Sequence, residues 1–318
     1  MNPSPTKIII VSLFFLLPPI VWLIFTNNSF IRHHDRKPFI LCTTSMIADT
    51  VKQIGGDKID AHGLMGPGID PHLYKAREGD VHRLAQADII FYNGLHLEGK
   101  MANVLQQMKS YTKSIAIGDA LSREELLSAG IDDLYDPHIW HDVTLWMKIV
   151  AHITTIMCEQ KPENSNFYKK NSENFCEQLK ELDIYIRKTL EAIPPEQRIL
   201  ITAHDAFSYF GKAYNVQVVG LQGISTDADI STRDIHDLVD YLIDHRMHAI
   251  FIESSIPARS IQAVYDAAAA RNWSIIIGEE LFSDALGDVQ SGAHSYITMI
   301  KHNVDAISKA LSKSQTTN

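Results

Sequence analysis

Cysteine is scarce: the 318 residues hold three, Cys42, Cys158 and Cys176, too far apart to form a CxxC metal knuckle. Basic clusters are missing as well. No run of five Lys or Arg occurs and the net charge is −9, which excludes nucleic acid as a partner. Neither GxSxG nor GxxxxGK[ST] is present, and Gly66-Pro67-Gly68 lacks the remaining glycine of a dinucleotide loop. No HExxH groups ligands within one helical turn. What the chain does have is histidine, 15 in all, and enough length for two domains.

The first residues read as an export signal rather than part of the fold. Lys7 precedes an apolar run from Ile8 to Phe25, and polar Thr26-Asn27-Asn28-Ser29 follows. Pro18-Pro19 interrupts the run, which weakens a transmembrane reading. The expectation is a signal peptide over residues 1–30, cut between roughly 26 and 36; a retained membrane anchor is the alternative. Cys42 follows Leu41 in FILCTTS and reads as a buried strand residue, not a lipid-bearing one. Cys158 and Cys176 either pair in an oxidising compartment or stay free on neighbouring helices.

From residue 38 onward, β-rich apolar runs alternate with helical patterns. Strands are expected at Phe39–Thr43, Lys58–Leu64, Asp88–Tyr92 and Ser114–Ile117, with helices between them. A second block places strands at Arg198–Ala203, Val216–Leu221, Ala249–Glu253 and Trp273–Ile277, with a terminal helix over Ser295–Leu311. Such alternation predicts an α/β fold with parallel sheets. Between the blocks, Tyr168, Phe175, Leu179, Leu182, Ile186 and Leu190 recur at helical spacing, and Pro194-Pro195 ends the pattern. This predicts one long connecting helix from Asn164 to Ala192.

Four short phrases carry the chemistry: GIDPHLY, DPHIWHD, TAHDAF and LFSDALG. Their His72, His138, His204 and Asp284 fall in loop phrases, three of them following predicted strands, where ligands bind in open α/β sheets. D-P-H occurs twice, and proline fixes the backbone before each imidazole. The preceding Asp, or another carboxylate, is placed to orient the ring. Ordinary Asp-Pro turns are the competing reading. Imidazole with carboxylate suits Zn(II), Mn(II) or Fe(II), and the lack of thiolate argues against Cu(I). His33, His34, His245, His248 and His302 read as surface residues. His141 reads as a surface or cleft-edge histidine, and His62 and His96 remain open.

With these phrases, TAHDAFSYFGKAYNVQVVGLQGISTDADIS, AIFIESS and GEELFSDALG, the chain resembles the metal-binding solute-binding proteins of ABC transporters, the TroA/ZnuA/PsaA-like group, over about residues 38–312. The resemblance implies an α/β lobe over 38–160, a backbone helix over 164–192 and a second lobe over 196–318, with one ion buried between the lobes. It implies His72, His138, His204 and Asp284 as the ligands of one transported divalent ion (Zn, Mn or Fe). It also implies a periplasmic or otherwise exported, monomeric, non-enzymatic protein whose partner is a membrane permease. The long His/Asp-rich loop of many zinc-specific members is missing here. The rival reading is a metal-dependent hydrolase with Glu279 or Glu280 as general base. With unperturbed imidazoles, proton competition should weaken binding below about pH 6.

Overall fold

A computed structural model describes residues 36–130 and 134–313, so the expected leader, with His33 and His34, lies outside the described residues. The chain from Pro38 onward forms one compact unit. Its first sheet is built from β1 (Phe39–Cys42), β2 (Asp60–Gly63), β3 (Ile89–Tyr92) and β4 (Lys113–Ala116), all parallel in the order β2-β1-β3-β4. Helices α1 (Ser45–Gly55), α2 (Glu78–Gln86) and α3 (Ala102–Met108) form its crossovers. Alternation along the strands explains why these segments are apolar throughout. Ile40, Cys42, Ile89 and Phe91 face one core, while Leu41 and Ile90 face another with Leu84, Met101 and Leu105.

The second block follows the same plan. β5 (Ile199–His204) pairs in parallel with β6 (Gln217–Gln222), and β7 (Ala249–Ile250) with β8 (Ile276–Ile277). The Phe251 N–H donates to the Ile201 carbonyl at 2.9 Å and ties the two pairs together. The resulting order, β6-β5-β7-β8, repeats that of the first sheet. Between these strands run α6 (Ser208–Tyr214), α7 (Thr232–Asp244) and α8 (Arg259–Ala270), and α9 (Tyr296–Lys313) closes the chain. Strands β7 and β8 are shorter than the apolar runs predict, β7 losing its end and β8 its start, and an isolated parallel bridge from Glu253 to Leu281 lies beyond them.

A helix that hydrophobic periodicity did not single out, α4 (Val143–Gln160), precedes the connector α5 (Ser165–Glu191). Its buried residues, among them Leu145, Trp146, Ile149, Val150 and Ile156, spread beyond a single stripe, so its pattern is apolar rather than amphipathic. Asp142 caps it by accepting from the Thr144 and Leu145 N–H groups. α5 is 27 residues long, about 40 Å at 1.5 Å per residue. It packs on α1 and α4 from the first block and on α6 and α9 from the last. The largest apolar cluster accordingly runs through both lobes, from Ile40 and Ile47 through Leu179 and Leu182 to Phe251 and Ile307. Each sheet adds an outer layer of its own. Leu179 is wholly buried in the shared cluster, so Leu179→Ala should cost about 2–5 kcal/mol of stability. Urea unfolding of both proteins measures this directly.

Cys42 is the last residue of β1 and fully buried, where burial pushes its thiol pKa strongly upward. Cys158 on α4 and Cys176 on α5 are free thiols, each partly buried.

Candidate metal centre

Each D-P-H phrase folds into the same local turn. Asp70 Oδ1 accepts from the His72 N–H at 2.8 Å, and Asp136 Oδ1 from the His138 N–H at 3.0 Å. A side chain accepting from the backbone two residues on is the usual Asx turn, and the intervening proline has no N–H to compete. His72 thereby stands in the loop between β2 and α2, and His138 just before the short turn Ile139–His141 that leads into α4. His204 is the last residue of β5. Asp284 follows β8 on a segment held from both sides. Asn303 of α9 pairs with the Phe282 backbone, and Ser45 at the start of α1 accepts from the Leu286 N–H.

These four side chains, each 66 to 80 residues from the next along the chain, converge. One donor atom from each lies within 4.8 Å of the others. The His72 and His138 Nε2 atoms are 3.2 Å apart. Asp284 Oδ1 lies 3.5 Å from His138 Nε2, and Oδ2 lies 3.4 Å from His204 Nε2. His138 and His204 have no exposed surface, Asp284 2% and His72 5%, so water competes little for the donors. Two of the converging atoms, His204 Nε2 and Asp284 Oδ1, have no hydrogen-bond partner. An orphaned buried polar atom costs about 1–3 kcal/mol. Two of them aimed at one point fit a cation that accepts both lone pairs.

Carboxylates behind the rings set their tautomers. His138 Nδ1–H donates to Asp136 Oδ1 at 2.7 Å, and His204 Nδ1–H to Glu253 Oε2 at 2.6 Å. Glu253 also accepts the His204 backbone N–H at 2.9 Å, so it grips that residue with both oxygens. Each ring then presents Nε2 to the centre, the arrangement that raises ligand basicity. Asp136 was anticipated as a ring-orienting acid. Glu253 was not, although it follows β7 in AIFIESS, where a buried acid is a signal in itself. Replacing it by Gln should weaken metal binding about 10–100-fold while the fold persists. Chelator competition provides the measurement, and unchanged affinity would show that Glu253 does not tune the ring.

Charge follows from this layout. Burial pulls the His138 pKa down, but the Asp136 and Asp284 carboxylates outweigh it and push it up to about 9. At His204 burial is likewise overridden, by Glu253 and Asp284, and the value rises well above the ordinary one. Burial alone would raise Asp284, yet the two facing imidazoles hold it well below the usual carboxylate range. His72 is lowered to about 3 by burial.

The remaining histidines separate cleanly. His141 is 1% exposed, a correction to its expected surface position, and burial lowers its pKa to about 3. Its Nε2–H donates to the Ser283 carbonyl at 3.0 Å and its ring packs on Phe207. His62 is exposed beside Asp60, and His96 is exposed with φ +65°. Glu279 and Glu280 are also exposed, and Glu279 pairs with Lys309.

Residues 40–310 match the family described as "Zinc-uptake complex component A periplasmic" (ZnuA). The chain is 42% identical over 277 residues to the manganese-binding lipoprotein MntA of Bacillus subtilis, covering 87% of this chain and 90% of that protein. It is also 42% identical over 279 residues to the zinc-binding protein TroA of Treponema pallidum, covering 88% and 90%. The solved structure of that periplasmic zinc binding protein aligns at a TM-score of 0.84, over 87% of this chain and 99% of the other.

Proposed function

Since this chain belongs to the ZnuA family of metal-binding solute-binding proteins, we propose that it captures one divalent transition metal ion outside the cytoplasm and delivers it to an ABC-type permease. The ion is cargo, and His72, His138, His204 and Asp284 are its ligands. The observation that carries this reading is the convergence of four buried donors, two of them without any partner in the protein. Three imidazoles and one carboxylate suit zinc, manganese and ferrous iron alike, and the relatives' names include both zinc and manganese. The lobes are read as 38–160 and 196–318, joined by 164–192. Support for this comes from the repeated strand order and from the packing of α5 on helices of both blocks.

An enzymatic role has no support in the geometry. A hydrolytic metal needs an open coordination position and a base beside it. Asp136 and Glu253, the acids beside this site, each hold an imidazole N–H, while Glu279 and Glu280 lie exposed. We read the protein as a monomer that engages metal ion and permease, and not nucleic acid. Exported by an N-terminal signal, it is not anchored through Cys42, which is buried in β1.

Titration calorimetry with Zn(II) and with Mn(II) should give one equivalent bound per chain for each ion. The metal-loaded protein should hydrolyse neither ester nor phosphomonoester. A stoichiometry of zero for both ions would overturn the function, and turnover that disappears with the metal would reinstate the hydrolase.

A further inference from the structure

The loop 223–231 joins β6 to α7, and every residue in it is exposed or half-exposed except Thr226. Gln222, the last residue of β6, shapes the loop by donating to the Thr226 and Ala228 carbonyls. Two of the loop's side chains then cross to the other lobe. Thr226 Oγ1–H donates to Asp70 Oδ2 at 2.7 Å, and Lys100 Nζ donates to Asp227 Oδ2 at 2.7 Å. Asp70 is the acid of the first D-P-H turn, and its other oxygen holds the His72 N–H. One carboxylate therefore joins the loop to a ligand segment.

His72 is the place where such a link has most effect. It is the most exposed of the four converging residues. Its ring has no carboxylate partner among the described residues, unlike His138 with Asp136 and His204 with Glu253. The Asp70 turn is thus its main anchor. Beneath the loop lies a cavity of about 430 Å³, lined in part by Asp70, Leu73, Gln222, Thr226 and Ile256. Two of its lining residues, Asp70 and Leu73, flank His72 closely in the chain.

We infer that loop 223–231 is a lid over the mouth of the metal site and that Thr226 is its lock, a positioning residue that acts through Asp70 on His72. The inference rests on the metal-capture reading above and adds a kinetic element to it. The lid controls how fast the ion leaves, while the four ligands determine whether it binds. The two crossing contacts differ in weight. Thr226 donates to a carboxylate at a half-buried site, which makes a charge-assisted bond, whereas the Lys100–Asp227 pair is solvated at the rim.

The test loads the protein with one equivalent of Zn(II) and follows its transfer to a chromogenic chelator by stopped flow. Thr226→Val should raise the dissociation rate about tenfold or more while leaving the association rate within about twofold, and Thr226→Ser should restore slow release. A second arm stays on the exposed rim, where folding is not at stake. Lys100→Asp should speed release about threefold, and adding Asp227→Lys should reverse it. The lid fails if Thr226→Val releases zinc within about twofold of the wild-type rate, if the change falls on association, or if serine does not restore retention. Should Thr226→Val not fold, failure of the charge swap to restore slow release overturns it instead. Wild-type protein that binds no zinc would refute the capture function itself, a result distinct from all of these.

Discussion

Binding of Zn(II) and Mn(II) is expected to collapse in Asp284→Asn, by more than the 10–100-fold that loss of an outer partner costs. Asp284 supplies the only charged donor, and its two oxygens reach toward different imidazoles, His138 and His204. Asparagine keeps the shape, so the segment pinned by Asn303 and Ser45 should stay in place. Its neutral amide, however, leaves a divalent ion in a buried site without the ligand charge that offsets its desolvation. Alanine at His72, His138 or His204 should also weaken binding sharply, with the fold intact. Chelator competition, with circular dichroism as the folding control, measures both. An Asp284→Asn protein that bound either ion within about tenfold of wild type would remove Asp284 from the ligand set.

Metal uptake near neutral pH should release about two protons per ion, and apparent affinity should rise about a hundredfold per pH unit. The sign follows from the buried charges. In the metal-free protein the carboxylates push His138 up to about 9 and His204 well above its ordinary value, so each ring holds a proton more tightly than a free imidazole does. A metal must displace a proton from each. His72, near 3, is already neutral, and Asp284 is already ionised, so neither contributes. Unperturbed imidazoles predict a loss of affinity confined below about pH 6. The carboxylates behind two of the rings move that window upward, toward 9, and reduce the competing protons from three to two.

Stability of the metal-free protein should run the other way. A raised imidazole stabilises the fold fully below its unfolded value of about 6.5 and loses that contribution as pH rises through about 9. Calorimetry in buffers of different ionisation enthalpy counts the protons. Affinity that stayed flat from about pH 6 to 8 would contradict the whole arrangement.

Much of this was legible without coordinates. The period of the apolar runs announced parallel α/β blocks, because strands buried on both faces must be apolar throughout, and the stripe from Tyr168 to Leu190 announced α5. α4 escaped because its buried surface is too broad to leave a stripe. Both D-P-H phrases close the Asx turn that was their competing reading, a local event, whereas only Asp136 also orients its ring as expected of the preceding acid. His141 was misplaced because neighbours at positions 207 and 283 bury it, and no pattern around residue 141 encodes them.

What the sequence determined by itself is therefore local: strand and helix periods, the turns that aim His72 and His138, and a donor set of imidazole and carboxylate without thiolate. The tertiary structure alone decided which atoms meet. Only folding sets Glu253 behind His204, Thr226 on Asp70, and the Asp284 carboxylate between two imidazoles. Proton affinity in a buried site depends on distances of a few ångströms between groups far apart in the chain. Two histidines carrying the same D-P-H phrase consequently end with opposite shifts, one near 3 and the other near 9.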